Sequence, residues 1–165
     1  MKITAQEEYG LRCLLQLAQA KADQGLTVKE VARKEGLSPA YVEKLLRLMG
    51  KAGLIHSVRG IKGGYLLSCS PEEIRLGMVV RALGKVLTTQ GICDRYTGNR
   101  TSCIHIDNCC IRSAWATLTQ SIEHFLDGTS LSDLMGSETK TLQMLQHRMS
   151  GQTQFPLNRG NSSEK

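Results

Sequence analysis

GLSPAYVEKLLRLMGKAGLIHSVRGIKGGYLLS, residues 36–68, contains one helix and one hairpin in immediate succession. Ser38 offers a side-chain oxygen just ahead of Pro39, whose fixed φ suits the first turn of a helix, so a helix opens there. Val42, Leu45, Leu46 and Met49 then recur on one helical face, which leaves Ala40, Tyr41, Glu43, Lys44, Arg47 and Lys51 facing outward. Two short runs of strand-forming residues follow, LIHSV at 54–58 and YLLS at 65–68. Between them lies Arg59-Gly60-Ile61-Lys62-Gly63-Gly64, a cationic, glycine-rich turn whose backbone can lie close to a sugar-phosphate chain.

Upstream, Thr27-Val28-Lys29-Glu30 has the capping-box pattern, apolar Val31 and Ala32 follow, and Gly36 stands where a helix ends. The helix this predicts over 28–35 pairs with the next one across Gly36-Leu37-Ser38 as a helix-turn-helix. A helical hairpin alone is common in all-helical domains. The basic hairpin behind it makes the pattern a winged helix, with the outward face of the second helix shaped for a major groove, Arg59 for a minor groove and Lys62 for a phosphate.

A second capping box, Thr4-Ala5-Gln6-Glu7, opens a helix over 4–20 with Leu11, Leu14, Leu15 and Ala18 as its apolar positions. Ser70-Pro71-Glu72-Glu73 reads as another helix start, running to about 84 with Ile74, Val79 and Ala82 toward the core. Charge follows the same division. Residues 1–91 hold 14 Lys and Arg against 8 Asp and Glu, 92–165 hold 7 against 7, and 29–62 alone hold 8 against 3. The positive half is the half expected to meet a polyanion.

The second half is marked by cysteine. Of six in the chain, Cys93, Cys103, Cys109 and Cys110 crowd one short stretch, and soft thiolates gathered on a loop suit iron or zinc. No secretory segment or long apolar run is found, so a cytoplasmic protein away from the membrane is expected, with reduced thiols rather than a disulfide framework. Cys13 and Cys69 read as small apolar residues. Behind the cysteines, Ile111, Trp115, Leu118, Ile122 and Phe125 form a seam at spacings of 4, 3, 4 and 3, predicting a helix over 109–127 used for dimerisation or else packed on the core of its own chain. A short helix over 130–135 and a polar, disordered tail over 146–165 complete the reading.

The expected fold is mainly α with a small β-hairpin wing: a winged helix-turn-helix over 1–85, a cysteine-rich loop over 86–108, a dimerisation helix and short successor over 109–136, and a polar tail over 137–165. No nucleophile–base pair, phosphate-binding glycine loop or paired acids can be placed, which argues against an enzyme. A zinc-stabilised interaction module is the alternative from another class, although two separated Cys-x-x-Cys knuckles are missing.

MKITAQEEYGLRCLLQLA at the start, SVRGIKGGYLL at the wing and the three-cysteine loop before CCIRSAWATL together resemble the bacterial winged-helix iron–sulfur regulators that include IscR, NsrR and RirA. The resemblance covers roughly residues 1–136. It implies a homodimeric repressor that binds inverted-repeat or imperfect inverted-repeat promoter DNA under control of an iron–sulfur cluster of two or four irons, sensing nitric oxide, iron supply or redox state. It carries DNA contacts onto Ser38, Tyr41, Glu43, Lys44 and Arg59, with Glu43 the candidate discriminator between bases; Thr27, Arg47 and Lys62 complete the expected set. It carries cluster ligation onto Cys93, Cys103 and Cys109, although nine residues rather than five fill the first gap. Arg112 stands where the IscR branch has a histidine ligand. The NsrR branch is the better match, with an acid at the position of Glu8 as fourth ligand; Glu7, His105 and Cys110 compete for that role. A cluster-free thiol- or metabolite-responsive regulator of the same fold is the other reading.

Overall fold

The computed structural model describes residues 3–20, 24–60, 63–84 and 92–151. The chain divides into two compact units, Met1–Met135 and Gly136–Lys165.

The first unit opens with α1 (Ala5–Gln19), whose capping box closes in both directions: the Thr4 N–H donates to Glu7 Oε2 at 2.8 Å and the Glu7 N–H to Thr4 Oγ1 at 3.3 Å. Its buried face is Gly10, Cys13, Leu14 and Leu17, with Leu11, Leu15 and Ala18 half-buried beside it. The face is rotated from the leucine stripe because Gly10 admits a neighbouring helix. A Cβ there would run into the buried Leu83 side chain, so α1 and the helix bearing Leu83 approach more closely than a larger residue would allow without Leu83 shifting.

Next come α2 (Val28–Glu35), capped by Thr27 and ended by Gly36 at φ +66°, and α3 (Pro39–Lys51), capped by Ser38. Glu30 is held below its ordinary carboxylate range by the Thr27 backbone N–H and then by the Thr27 hydroxyl. Val42, Leu45, Leu46 and Met49 of α3 are fully buried, as their spacing requires. β1 (Ile55–Val58) and β2 (Gly64–Leu67) pair antiparallel, Ile55 opposite Leu67 and Val58 opposite Gly64.

The wing has a further anchor that the sequence did not disclose. Leu26 and Tyr65 exchange backbone hydrogen bonds of 3.1 and 2.9 Å, which ties the segment before α2 to the hairpin. Gly64 makes this contact possible. It sits at φ +150°, and a Cβ would fall 2.7 Å from the Leu26 carbonyl.

The expected helix start at Ser70 is corrected. Ser70, Pro71, Glu72 and Glu73 form a turn, in which the Ser70 N–H donates to Glu73 Oε2 at 3.0 Å, and α4 spans Leu76–Leu83. The competing interaction is non-local: Leu76 N–H donates to the Thr129 carbonyl at 2.9 Å and Leu131 N–H to the Ile74 carbonyl at 2.8 Å, holding Arg75 extended in a bridge to Ser130. Burial of Ile74 and Leu131 favours that pairing over another helical turn.

The short helix α5 (Ile92–Arg95) precedes an irregular loop, and α6 (Cys110–Gly128) follows with Cys109 as its N-cap. Only Thr119 and Leu126 of α6 are buried; Ile111, Trp115 and Leu118 of the seam are 61%, 47% and 43% exposed. Packing on the chain's own core therefore does not account for the first half of the seam. A 3-10 turn at Ser132–Leu134 ends the unit where a short helix was expected.

In the second unit, α7 (Glu138–Gly151) begins behind Ser137, whose carbonyl accepts from Thr141 N–H at 2.9 Å. The disordered tail expected from residue 146 is thus corrected for 146–151, which continue this helix; the composition there is polar, yet Gln146, Arg148 and Met149 are good helix formers. Residues 152–165 lie outside the described part. Among the described residues, no helix is long and apolar enough to cross a membrane.

Candidate nucleic-acid interface and cysteine loop

Because the four buried residues of α3 fix its rotation, Glu43, Lys44 and Arg47 stand exposed on its opposite face, with Ser38 and Ala40 exposed at its start. Ser38 accepts from the Tyr41 N–H, which leaves its own hydroxyl proton for an outside acceptor such as a phosphate. Thr27 is exposed at the head of α2. Its hydroxyl is already committed to the Glu30 carboxylate at 2.7 Å.

Tyr41 departs from the outward reading. It is half-buried, its ring edge-on to Tyr9 of α1 with centroids 6.1 Å apart and planes at 83°. The guanidinium of Arg12 lies 5.3 Å from the Tyr9 ring centre. That same guanidinium pairs with Glu35 at 2.6 Å, and Gln16 donates to the other Glu35 oxygen at 2.6 Å. The hydrogen bond to Glu35 and then its charge raise the Arg12 guanidinium above its ordinary value.

Glu35 is the last residue of α2 and its side chain is only 6% exposed. The clamp therefore locks α1 to the residue that precedes the turn, and so sets where α3 starts. Sequence reasoning missed Arg12, Gln16 and Glu35. The one available signal was Arg12 and Gln16 four residues apart on a helix face, too common a pattern to single out.

At the wing, Arg59 is exposed directly after β1. Lys62 lies outside the described residues.

In the cysteine loop, Cys93 lies on α5, Cys103 in the irregular segment and Cys109 at the head of α6, all three half-buried; Cys110 and His105 are exposed. Arg112 meets two of these sulfurs. Its backbone N–H donates to Cys109 Sγ at 3.4 Å and its guanidinium to Cys93 Sγ at 3.7 Å. The third thiol and Glu8 are not drawn in: among the described residues, no three His, Cys, Asp or Glu side chains are gathered closely enough to share an ion.

Glu8 is exposed on α1, whereas the Glu7 carboxylate closes the Thr4 capping box and packs over Gly84. The donor set nonetheless fits an iron–sulfur cluster in type, with soft sulfur ligands beside a guanidinium and the positive end of a long helix. Cys13 is fully buried, where desolvation and then the Glu35 carboxylate push its thiol up to about 11, and Cys69 is likewise raised by burial; both are poor ligands as placed.

A helix-turn-helix with its outward face free, a two-stranded wing beside it and a long trailing helix define a winged-helix DNA-binding regulator. The model of the family described as "Rrf2: Iron-dependent Transcriptional regulator" matches residues 3–137, and the chain belongs to that family of transcriptional regulators. Protein rrf2 of Nitratidesulfovibrio vulgaris is 35% identical over 135 residues, 82% of this chain and 87% of the relative. The HTH-type transcriptional regulator IscR of Aliivibrio salmonicida is 32% identical, with coverage of 82% and 77%. Among solved structures, CymR, the global cysteine regulator of B. subtilis, superposes with a TM-score of 0.66 at 28% identity, covering 82% of this chain and 96% of that one. These relatives are regulators, not enzymes, and regulators of this family bind DNA.

Proposed function

We propose that the chain is a homodimeric repressor whose grip on promoter DNA is set by an iron–sulfur cluster reporting nitric oxide, iron supply or redox state. The observation that carries this is the convergence of Cys93 and Cys109 on Arg112 at the head of α6, in a protein with an exposed DNA-reading face. Cys93, Cys103 and Cys109 would hold the cluster with Glu8 as fourth ligand. The group supplies a redox- and nitric-oxide-reactive centre; the chain's part is to hold thiolates in electropositive surroundings and to relay their arrangement through α6 and α1. On the DNA side, Ser38, Lys44, Arg47 and Lys62 take phosphates, Glu43 reads bases, Arg59 enters the minor groove, and Thr27 and Tyr41 shape the ends of the two helices beneath them.

Anaerobic reconstitution tests the reading. Visible absorbance that Cys93→Ala removes, together with DNA retardation that changes on loading, is the expected result; a colourless protein that binds DNA identically with or without iron and sulfide overturns it.

One observation favours a second reading. Since no third ligand is gathered beside Cys93 and Cys109 among the described residues, the loop also suits a cluster-free thiol-responsive regulator, and the likeness to a cysteine regulator adds weight. Anaerobic native mass spectrometry separates the two, since bound iron and sulfide add a definite mass.

A further inference from the structure

Arg112 has a place in the cysteine loop that its distance along the chain from Cys93 conceals. Cys109 ends the loop and caps α6, and its sulfur accepts the Arg112 backbone N–H, as any residue at that position would supply. The guanidinium is specific to arginine. It reaches back 19 residues to Cys93 Sγ at 3.7 Å, so one residue contacts the sulfurs at both ends of the loop. We propose that Arg112 is a positioning residue that pins Cys93 to the Cys109-capped end of α6, closing the loop and placing a fixed positive charge against the Cys93 sulfur.

Three physical consequences support that role. Residues 96–108 contain no regular element, so without a tether the two ends of the loop are joined only through an irregular chain, whose closure costs entropy. A guanidinium presents several N–H donors in a rigid fork and stays charged, which suits it to hold a sulfur anion more firmly than a flexible ammonium would. Hydrogen bonds and positive charge directed at ligand sulfurs also withdraw electron density, raising the potential of an iron–sulfur group held there. This last consequence rests on the cluster reading above; the pinning of Cys93 does not.

The test uses the full-length protein in two states. In the reduced apo form, dibromobimane becomes fluorescent when it bridges two neighbouring thiols, and peptide mass mapping locates the bridge. Wild type is expected to give a Cys93–Cys109 bridge, Arg112→Leu to lose most of it, and Arg112→Lys to keep part, with circular dichroism unchanged in all three. Absence of the bridge in wild type, or equal yields in wild type and Arg112→Leu, overturns the proposal.

In the reconstituted form, Arg112→Leu is expected to show a lower midpoint potential and to surrender iron to a chelator about 10-fold faster or more, the usual scale for residues that support metal ligands. An unchanged potential and chelation rate overturn the charge-placing part. If wild type loads no cluster while the apo bridge still depends on Arg112, the cluster reading fails and the pinning stands.

Discussion

Arg59 is the exposed cation at the end of β1, and its removal separates wing from recognition helix. Arg59→Ala is expected to weaken operator binding by about 1–3 kcal/mol and to relax preference for a narrow minor groove. Titrations with operator and scrambled duplex at one salt concentration check this, and an unchanged affinity removes Arg59 from the interface. Glu43→Ala, on the exposed face of α3, is expected to narrow the gap between operator and non-operator affinities without a comparable loss of overall binding, because it removes a repulsion against wrong bases. Cys13 makes a prediction about pH. Burial, with the Glu35 carboxylate second, raises its thiol from an ordinary 9.0 to about 11. The unfolded chain therefore ionises first, so the stabilising contribution is complete below about pH 9, is lost as the pH rises toward 11, and changes no further above that. Urea midpoints should fall between those values in wild type and fall less in Cys13→Ala; equal slopes refute the assignment. The capping residues Thr4, Thr27 and Ser38 were all legible from the sequence, because a cap is a local bargain between residues three apart. The roles of Glu35 and Arg112 were not, since their partners lie 23 and 19 residues away.

Elements here are positioned by missing side chains as much as by present ones. Gly10→Ala would drive a methyl group into Leu83 where α1 crosses α4, at an expected cost of about 1–3 kcal/mol readable in urea unfolding; wild-type stability would show that the two helices separate freely. At α4 and α6 a similar fit occurs, since a Cβ at Gly77 would meet Asp127 Oδ1, the partner of Arg81 at 2.6 Å. Both charged side chains of that pair are about half exposed, so the pair contributes less than its short distance suggests. The α3 stripe and the hairpin were legible because periodicity reports burial directly. The start of α4 was misread because Ser70–Glu73 satisfies a local helix signal, while the pairing of Ile74 and Leu76 with Thr129 and Leu131 involves residues some 55 positions further on.

For the whole molecule, the exposed Ile111, Trp115 and Leu118 of α6 are the face on which the proposed dimer rests. Trp115→Glu is expected to give a folded monomer in sedimentation analysis and to abolish operator binding, since one unit reads only half of a two-fold site. A variant that stays dimeric moves the interface elsewhere. Binding should also weaken steeply with salt, with a logarithmic slope of about −0.9 for each phosphate neutralised, as expected from a positive charge concentrated in residues 1–91. Local rules were enough for the helix-turn-helix, the wing and the basic half, because caps, periodic burial and charge are properties of neighbouring residues. The clamp on α2, the Leu26 anchor of the wing, the start of α4, and the meeting of Cys93 and Cys109 on Arg112 were decided by tertiary packing. Each depends on groups far apart in the chain, whose hydrogen bonds and close contacts exist only once the core has formed around them.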